Sequence, residues 1–162
     1  MNKQVVIYPG FFDPFTLGHK NIVERALRVF GEITVAVAGE SPKTSLFTAS
    51  DRLEIAQQVF EKNPKVTVEK FDGLLVDYVK KKKANILLRG IRTVSDFEYE
   101  YQMALANRTL SPDVETCFMM TEGSYSYLSS TLIKEIARLG GDVSKMVPPP
   151  VLQRIEKIRS RK

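Results

Sequence analysis

Short apolar runs alternate with amphipathic stretches along the whole chain, and this alternation constrains the fold more than any other feature. An apolar run of four to six residues is too short for a helix and reads as a buried strand. A stretch with apolar residues three and four apart reads as a helix that packs one face onto it. Strand and helix in turn make βα units, whose strands are parallel and whose sheet is covered on both faces. The runs predict strands at residues 4–8, 33–38, 66–70, 86–89 and 115–120. They predict an α/β chain: one doubly wound, five-stranded parallel sheet in a single domain over residues 1–162, with a C-terminal helix and basic tail from about residue 150.

The helices follow from the same periodicity. Residues 18–30 carry Ile22, Val23, Ala26, Leu27 and Phe30 at helical spacing. Residues 48–60 open with Thr48 and Asp51 as a capping box and carry Leu53, Ala56, Gln57 and Phe60; residues 74–82 form a third helix. In residues 95–110, Phe97, Tyr101, Ala104, Leu105 and Arg108 share one side, which predicts that most of the row is core. Residues 129–139 set Leu132, Ile133, Ile136 and Ala137 on one face before a Gly140-Gly141 stop, and Pro148-Pro149-Pro150 reads as a stiff connector into a last helix over 151–160.

Charge and cysteine usage narrow the class. The net charge is +5, and Arg154, Lys157, Arg159, Arg161 and Lys162 against Glu156 account for +4 of it. A basic tail can bind nucleic acid or anionic lipid, but at a helix end it reads first as a solvated terminus favoured by the helix dipole. The one cysteine, Cys117, excludes an internal disulfide and is expected to be buried, consistent with a reducing compartment. With no basic leader and no bilayer-length apolar run, the protein is expected to be soluble and cytoplasmic, with no membrane partner.

In a parallel sheet, ligands bind outside the carboxyl ends of the strands. The chemically capable residues cluster after those ends: Phe11, Phe12, Asp13, Thr16 and His19; Ser41 and Lys43; Arg89, Arg92 and Asp96; Ser124, Ser126, Ser129, Ser130 and Thr131. His19, the only histidine, stands at a strand-to-helix junction, where unpaired N–H groups and the helix dipole attract phosphate. Position alone leaves it as a phosphate ligand or a simple helix cap. With Lys43, Arg89 and Arg92 it makes a cationic set suited to a polyphosphate. There is no Gly-x-x-x-x-Gly-Lys-Ser/Thr loop, no Gly-x-Gly-x-x-Gly turn, no clustered Cys and His ligands, and no Gly-x-Ser-x-Gly elbow. Ordinary P-loop, dinucleotide-dehydrogenase, zinc-site and serine-hydrolase readings are therefore unsupported.

Pro9-Gly10-Phe11-Phe12-Asp13-Pro14 followed by Thr16-Leu17-Gly18-His19 resembles the first motif of the nucleotidylyltransferase superfamily, and Leu128-Ser129-Ser130-Thr131-Leu132-Ile133-Lys134 resembles its second. Arg89-Gly90-Ile91-Arg92 with Asp96-Phe97-Glu98-Tyr99-Glu100 is similar to the bacterial phosphopantetheine adenylyltransferases in particular. The resemblance covers the chain from Tyr8 to about Val147 and implies a Rossmann-like fold. It implies transfer of an adenylyl group from ATP to 4′-phosphopantetheine, giving dephospho-coenzyme A and pyrophosphate with Mg²⁺, by direct attack without an enzyme nucleophile. It also implies a homo-hexamer that binds coenzyme A.

By the same resemblance, His19, Lys43 and Arg92 match the catalytic set. Phe11, Phe12, His19, Gly90, Ile91, Arg92, Glu100, Tyr125, Ser126, Tyr127, Leu128, Ser129, Ser130 and Thr131 match ATP-binding positions. Phe11, Lys43, Leu75 and Arg89 match the substrate side, and no residue matches a metal ligand. From pattern alone, Leu74 and Leu75 would be core, and the serines an N-cap cluster. One position departs: the family has threonine or serine where this chain has Phe11, and a phenyl ring cannot make that hydroxyl's phosphate contact. Weak phosphopantetheine use is the expectation. The first and last motifs leave open a sister enzyme acting on nicotinate mononucleotide or glycerol 3-phosphate, which the segment from Arg89 to Glu100 argues against. Phe11 leaves open a non-catalytic nucleotide or coenzyme A sensor. A nucleic-acid module rests on the basic tail alone and ranks last.

Overall fold

The computed structural model describes residues 5–40 and 44–160. The chain runs β1 (Val6–Gly10), α1 (Leu17–Phe30), β2 (Ile33–Ala38), α2 (Ala49–Phe60), β3 (Val66–Phe71), α3 (Leu75–Lys81), β4 (Ile86–Ile91), α4 (Val94–Leu110), β5 (Glu115–Met120), a 3₁₀ turn (Gly123–Tyr125), α5 (Ser130–Arg138) and α6 (Pro149–Arg159). All strand pairs are parallel, in the order β3-β2-β1-β4-β5. The chain winds outward from β1 to β3, then returns to the other side of β1. The reversal of strand order therefore lies between β1 and β4, where such sheets open a crevice. The expected doubly wound sheet is the observed one.

The crevice has a local cause. β1 continues through Pro9 to Gly10, paired with Ala36 and Val37 of β2, rather than stopping at Tyr8. Against β4 it pairs only at Val6 and Ile7. Pro9 has no N–H, so it ends the ladder toward β4 while β1 stays joined to β2. Beyond Ile7 the two strands part. The expected strand start at Gln4 lies outside the described residues.

Apolar residues cover both faces of the sheet. Tyr8, Val35, Leu88, Phe15, Ile22, Val23, Ile55 and Ile133 join one buried cluster, and Ile7, Ala36, Leu87, Val79 and Val114 the other. Phe12 has a left-handed φ of 52° and places its buried ring beneath Gly10. A Cβ at Gly10 would lie 2.5–2.9 Å from three ring atoms of Phe12. Gly10→Ala is expected to overpack this core by about 1–3 kcal/mol and to lower Tm by roughly 2–4 °C per kcal/mol. A thermal melt that does not shift would show that the ring can yield.

Several expectations are corrected. The α4 row is not core: Phe97, Tyr101 and Leu105 are 43%, 49% and 49% exposed, because α4 packs chiefly against β4 and the edge strand β5. Leu74 is also exposed, and Cys117 is only partly buried. The buried row of α2 is Arg52, Ile55, Ala56 and Phe60: Ala56 and Phe60 are buried as expected, whereas Arg52 and Ile55 replace Leu53, which is partly buried, and Gln57, which is exposed. α6 begins at Pro149 rather than after the proline run, since proline fits the first helical turn, whose N–H groups are unpaired. Its basic residues are not merely solvated. Arg154 bonds Asp51 at 3.1 Å and Glu54 at 2.6 Å, and Arg159 donates to the carbonyls of Ala137 and Gly141.

Candidate active site

A cleft of about 280 Å³ opens at the carboxyl ends of β1 and β4, lined by the turn after β1, the start of α1, the end of β4 and the start of α5. It brings together Phe11, Phe12, His19, Arg89, Gly90, Arg92, Glu100, Leu128, Ser129, Ser130 and Thr131 of the expected set. Ile91 is buried in β4 beside it, and Tyr125, Ser126 and Tyr127 lie on the turn leading to α5 without lining it. Leu75 lines a smaller adjoining pocket whose border with the cleft is Arg89 and Glu100. Lys43 lies outside the described residues.

His19 is held by a reciprocal cap. The Thr16 N–H donates to His19 Nδ1 at 3.0 Å, and the His19 N–H donates to Thr16 Oγ1 at 3.2 Å. Because Nδ1 accepts a main-chain proton, the neutral ring carries its own proton on Nε2. Phe12 stands edge-on to the imidazole at 5.1 Å and Phe15 packs at 5.3 Å. Burial, then the charges of Arg92 and Arg89, lowers its pKa to about 3. His19 is thus both a cap and a fixed, uncharged N–H donor in the cleft.

The arginines are anchored by carboxylates. Arg89 donates Nε and Nη2 to Glu100 and Nη1 to the Pro9 carbonyl at 2.9 Å, bridging the parted strands. Burial disfavours its charge, but Glu100 outweighs that and raises its pKa. Arg92 bonds Asp96 through Nε and Nη2 and the Leu128 carbonyl through Nη1 at 2.8 Å. Burial raises the Asp96 pKa, and the Arg92 bonds more than reverse this. Each guanidinium keeps two of its five donors for a ligand. Ser129 caps α5 by accepting from the Leu132 N–H at 3.1 Å, and Ser130 donates to the Pro14 carbonyl at 2.8 Å, tying both motifs together. Phe12 lines the cleft, but its ring is in the core, so what it offers a ligand is main chain.

Two residues were given no role from sequence. Asp13, 2% exposed, accepts from the Leu46 and Phe47 N–H groups and from Lys134 at 3.1 Å. Arg52, fully buried, donates to main-chain carbonyls beneath the cleft. Its signal was its place on the buried i, i+3, i+4 row of α2, where a cation requires partners.

A model of the cytidylyltransferase-like proteins matches residues 7–136. The phosphopantetheine adenylyltransferase of Solidesulfovibrio magneticus is 54% identical over 151 residues, 93% of this chain and 88% of that protein. Those of Geobacter sulfurreducens and Aromatoleum aromaticum are 50% and 52% identical, covering 94% and 96% of this chain and 93% and 95% of theirs.

Proposed function

We propose that this chain, which belongs to the phosphopantetheine adenylyltransferases within the cytidylyltransferase-like family, transfers the adenylyl group of ATP to 4′-phosphopantetheine, yielding dephospho-coenzyme A and pyrophosphate. It is a nucleotidyltransferase. One observation carries the assignment of roles: a neutral His19 donor, two carboxylate-anchored arginines and the start of α5 face a single cleft at the reversal of strand order.

The substrate phosphate oxygen attacks the α-phosphorus of ATP in line, and the bond to the pyrophosphate oxygen breaks. Positioning and charge stabilisation suffice for such a transfer. His19 Nε2–H donates to the α-phosphate oxygens as charge builds there, and the ring stays neutral throughout. Arg92 and the first turn of α5, with its unpaired N–H groups, hold the phosphates that leave. Arg89 faces the pantetheine side and Glu100 the ribose side. Leu75 lines the pantetheine wall, the turn from Tyr125 to Leu128 borders the nucleotide, and Lys43 is assigned to the phosphates. Among the described residues no three His, Cys, Asp or Glu side chains could hold a metal, and Asp13, Asp96 and Glu100 are each committed to a cation. Mg²⁺ would enter with the nucleotide, held through its phosphates, and would supply charge neutralisation for the departing pyrophosphate. Mass-spectrometric detection of dephospho-coenzyme A from ATP and 4′-phosphopantetheine supports this reading; ATP left intact by folded protein contradicts it.

The comparisons favour neither the sister substrates nor a sensor. No helix among the described residues is long and apolar enough to cross a membrane, and the reading is of a cytoplasmic enzyme that also binds coenzyme A and has no nucleic-acid partner. The exposed row of Phe97, Tyr101 and Leu105 supports a homo-hexamer. Light scattering is expected to give six times the 18.3 kDa chain mass, and Tyr101→Glu to give smaller species; a monomeric parent rules this out.

A further inference from the structure

Among the described residues Arg52 is the largest fully buried side chain, and it lies four residues after the α2 N-cap. Both facts oppose a cation: burial strips its water, and the helix start presents positive potential. What it holds accounts for the placement. Nη1 donates to the carbonyls of Phe11 and Ala38, each at 2.7 Å, and Nη2 to Glu40 at 3.0 Å. The guanidinium also lies 4.0 Å from the centre of the Phe11 ring. Phe11 belongs to the turn after β1 that lines the cleft, Ala38 is the last residue of β2, and Glu40 follows two residues beyond it. One planar fork thus ties together the carboxyl ends of two neighbouring strands at the floor of the site.

We propose that Arg52 is a positioning residue for adenylyl transfer: it fixes the Phe11 turn against the end of β2, so that the main chain facing the phosphates keeps one geometry. It touches no substrate and acts through the Phe11 main chain. Lysine can keep the charge but not the planar, three-carbonyl geometry. A displacement of about 1 Å in such a turn is enough for roughly a 100-fold loss of rate.

The proposal rests on the adenylyl-transfer reading, and its test separates the two. Pyrophosphate release is measured for the parent and Arg52→Lys, with rates normalised to folded protein by circular dichroism. The expected result is a fall in kcat of about tenfold or more with KM for ATP within about threefold, the signature of lost alignment rather than lost binding. Arg52→Lys that turns over at the parent rate overturns the proposal, however far its Tm drops. An inactive parent counts against the reading and not against Arg52. If Arg52→Lys does not fold, the Nη–H resonances of Arg52 are followed by NMR in the parent, assigned through their contact with the Phe11 ring. A non-hydrolysable ATP analogue is expected to shift them. Resonances that stay put at saturating analogue overturn the proposal.

Discussion

Phe11→Thr is expected to raise kcat/KM for 4′-phosphopantetheine by about 10- to 150-fold, the equivalent of roughly 1.5–3 kcal/mol for one hydrogen bond to a charged group. Phe11 occupies the position at which the family resemblance places a hydroxyl on phosphate. Phe11 is among the residues that line the cleft, its ring lies over the Arg52 guanidinium, and a phenyl ring offers a phosphate no donor. Threonine restores the donor and leaves the Phe11 carbonyl, and so its bond from Arg52, in place. The substitution also removes a ring from a buried cation, a contact worth about 0.5–2 kcal/mol, so Tm is expected to fall as activity rises. Steady-state kinetics with varied phosphopantetheine, beside a thermal melt, checks both. No gain in kcat/KM would mean that the phenyl ring does not limit substrate use.

His19→Ala is expected to lower kcat by about 100- to 1000-fold, the usual consequence of removing one donor aimed at developing charge. The same change removes half of the α1 cap, so part of its effect will be on stability. Glutamine at 19 puts an amide N–H near the Nε2 position and should retain more turnover than alanine; equal rates for the two would contradict a donor role. The pH dependence has a definite sign. Burial depresses the His19 pKa from 6.5 to about 3, so the folded enzyme keeps a neutral ring throughout that interval while the unfolded chain takes up a proton. The rate should therefore show no limb from this histidine near pH 6.5, whereas its contribution to stability is full above 6.5 and is lost as pH falls toward 3.

The fold was legible because hydrophobic period tracks secondary structure. β2 and β5 have the predicted bounds, and Thr48–Asp51 forms the predicted cap. The failures share a cause: pattern reports which residues need burial and not what buries them. Phe97, Tyr101 and Leu105 have a core-like period yet stay half-exposed, even though Phe97 packs edge-on against Phe118 of β5. Conversely, Arg52 reads as a surface residue by type, and the convergence of three carbonyls on its guanidinium, with the Phe11 ring beside it, makes its burial tenable. In the site, strand ends sufficed to gather His19, Arg89, Arg92 and the serines into one list. The pairing of Arg89 with Glu100 and Arg92 with Asp96, and the tautomer that Thr16 imposes on His19, depend on directions that spacing does not carry.

The most direct test of adenylyl transfer through His19 is pyrophosphate release from three substrate pairs: ATP with 4′-phosphopantetheine, ATP with nicotinate mononucleotide, and CTP with glycerol 3-phosphate, each with the parent and with His19→Ala. Release is expected from the phosphopantetheine pair alone, and it nearly disappears in the alanine variant. Release from another pair, or a folded His19→Ala protein that matches the parent, would contradict this assignment.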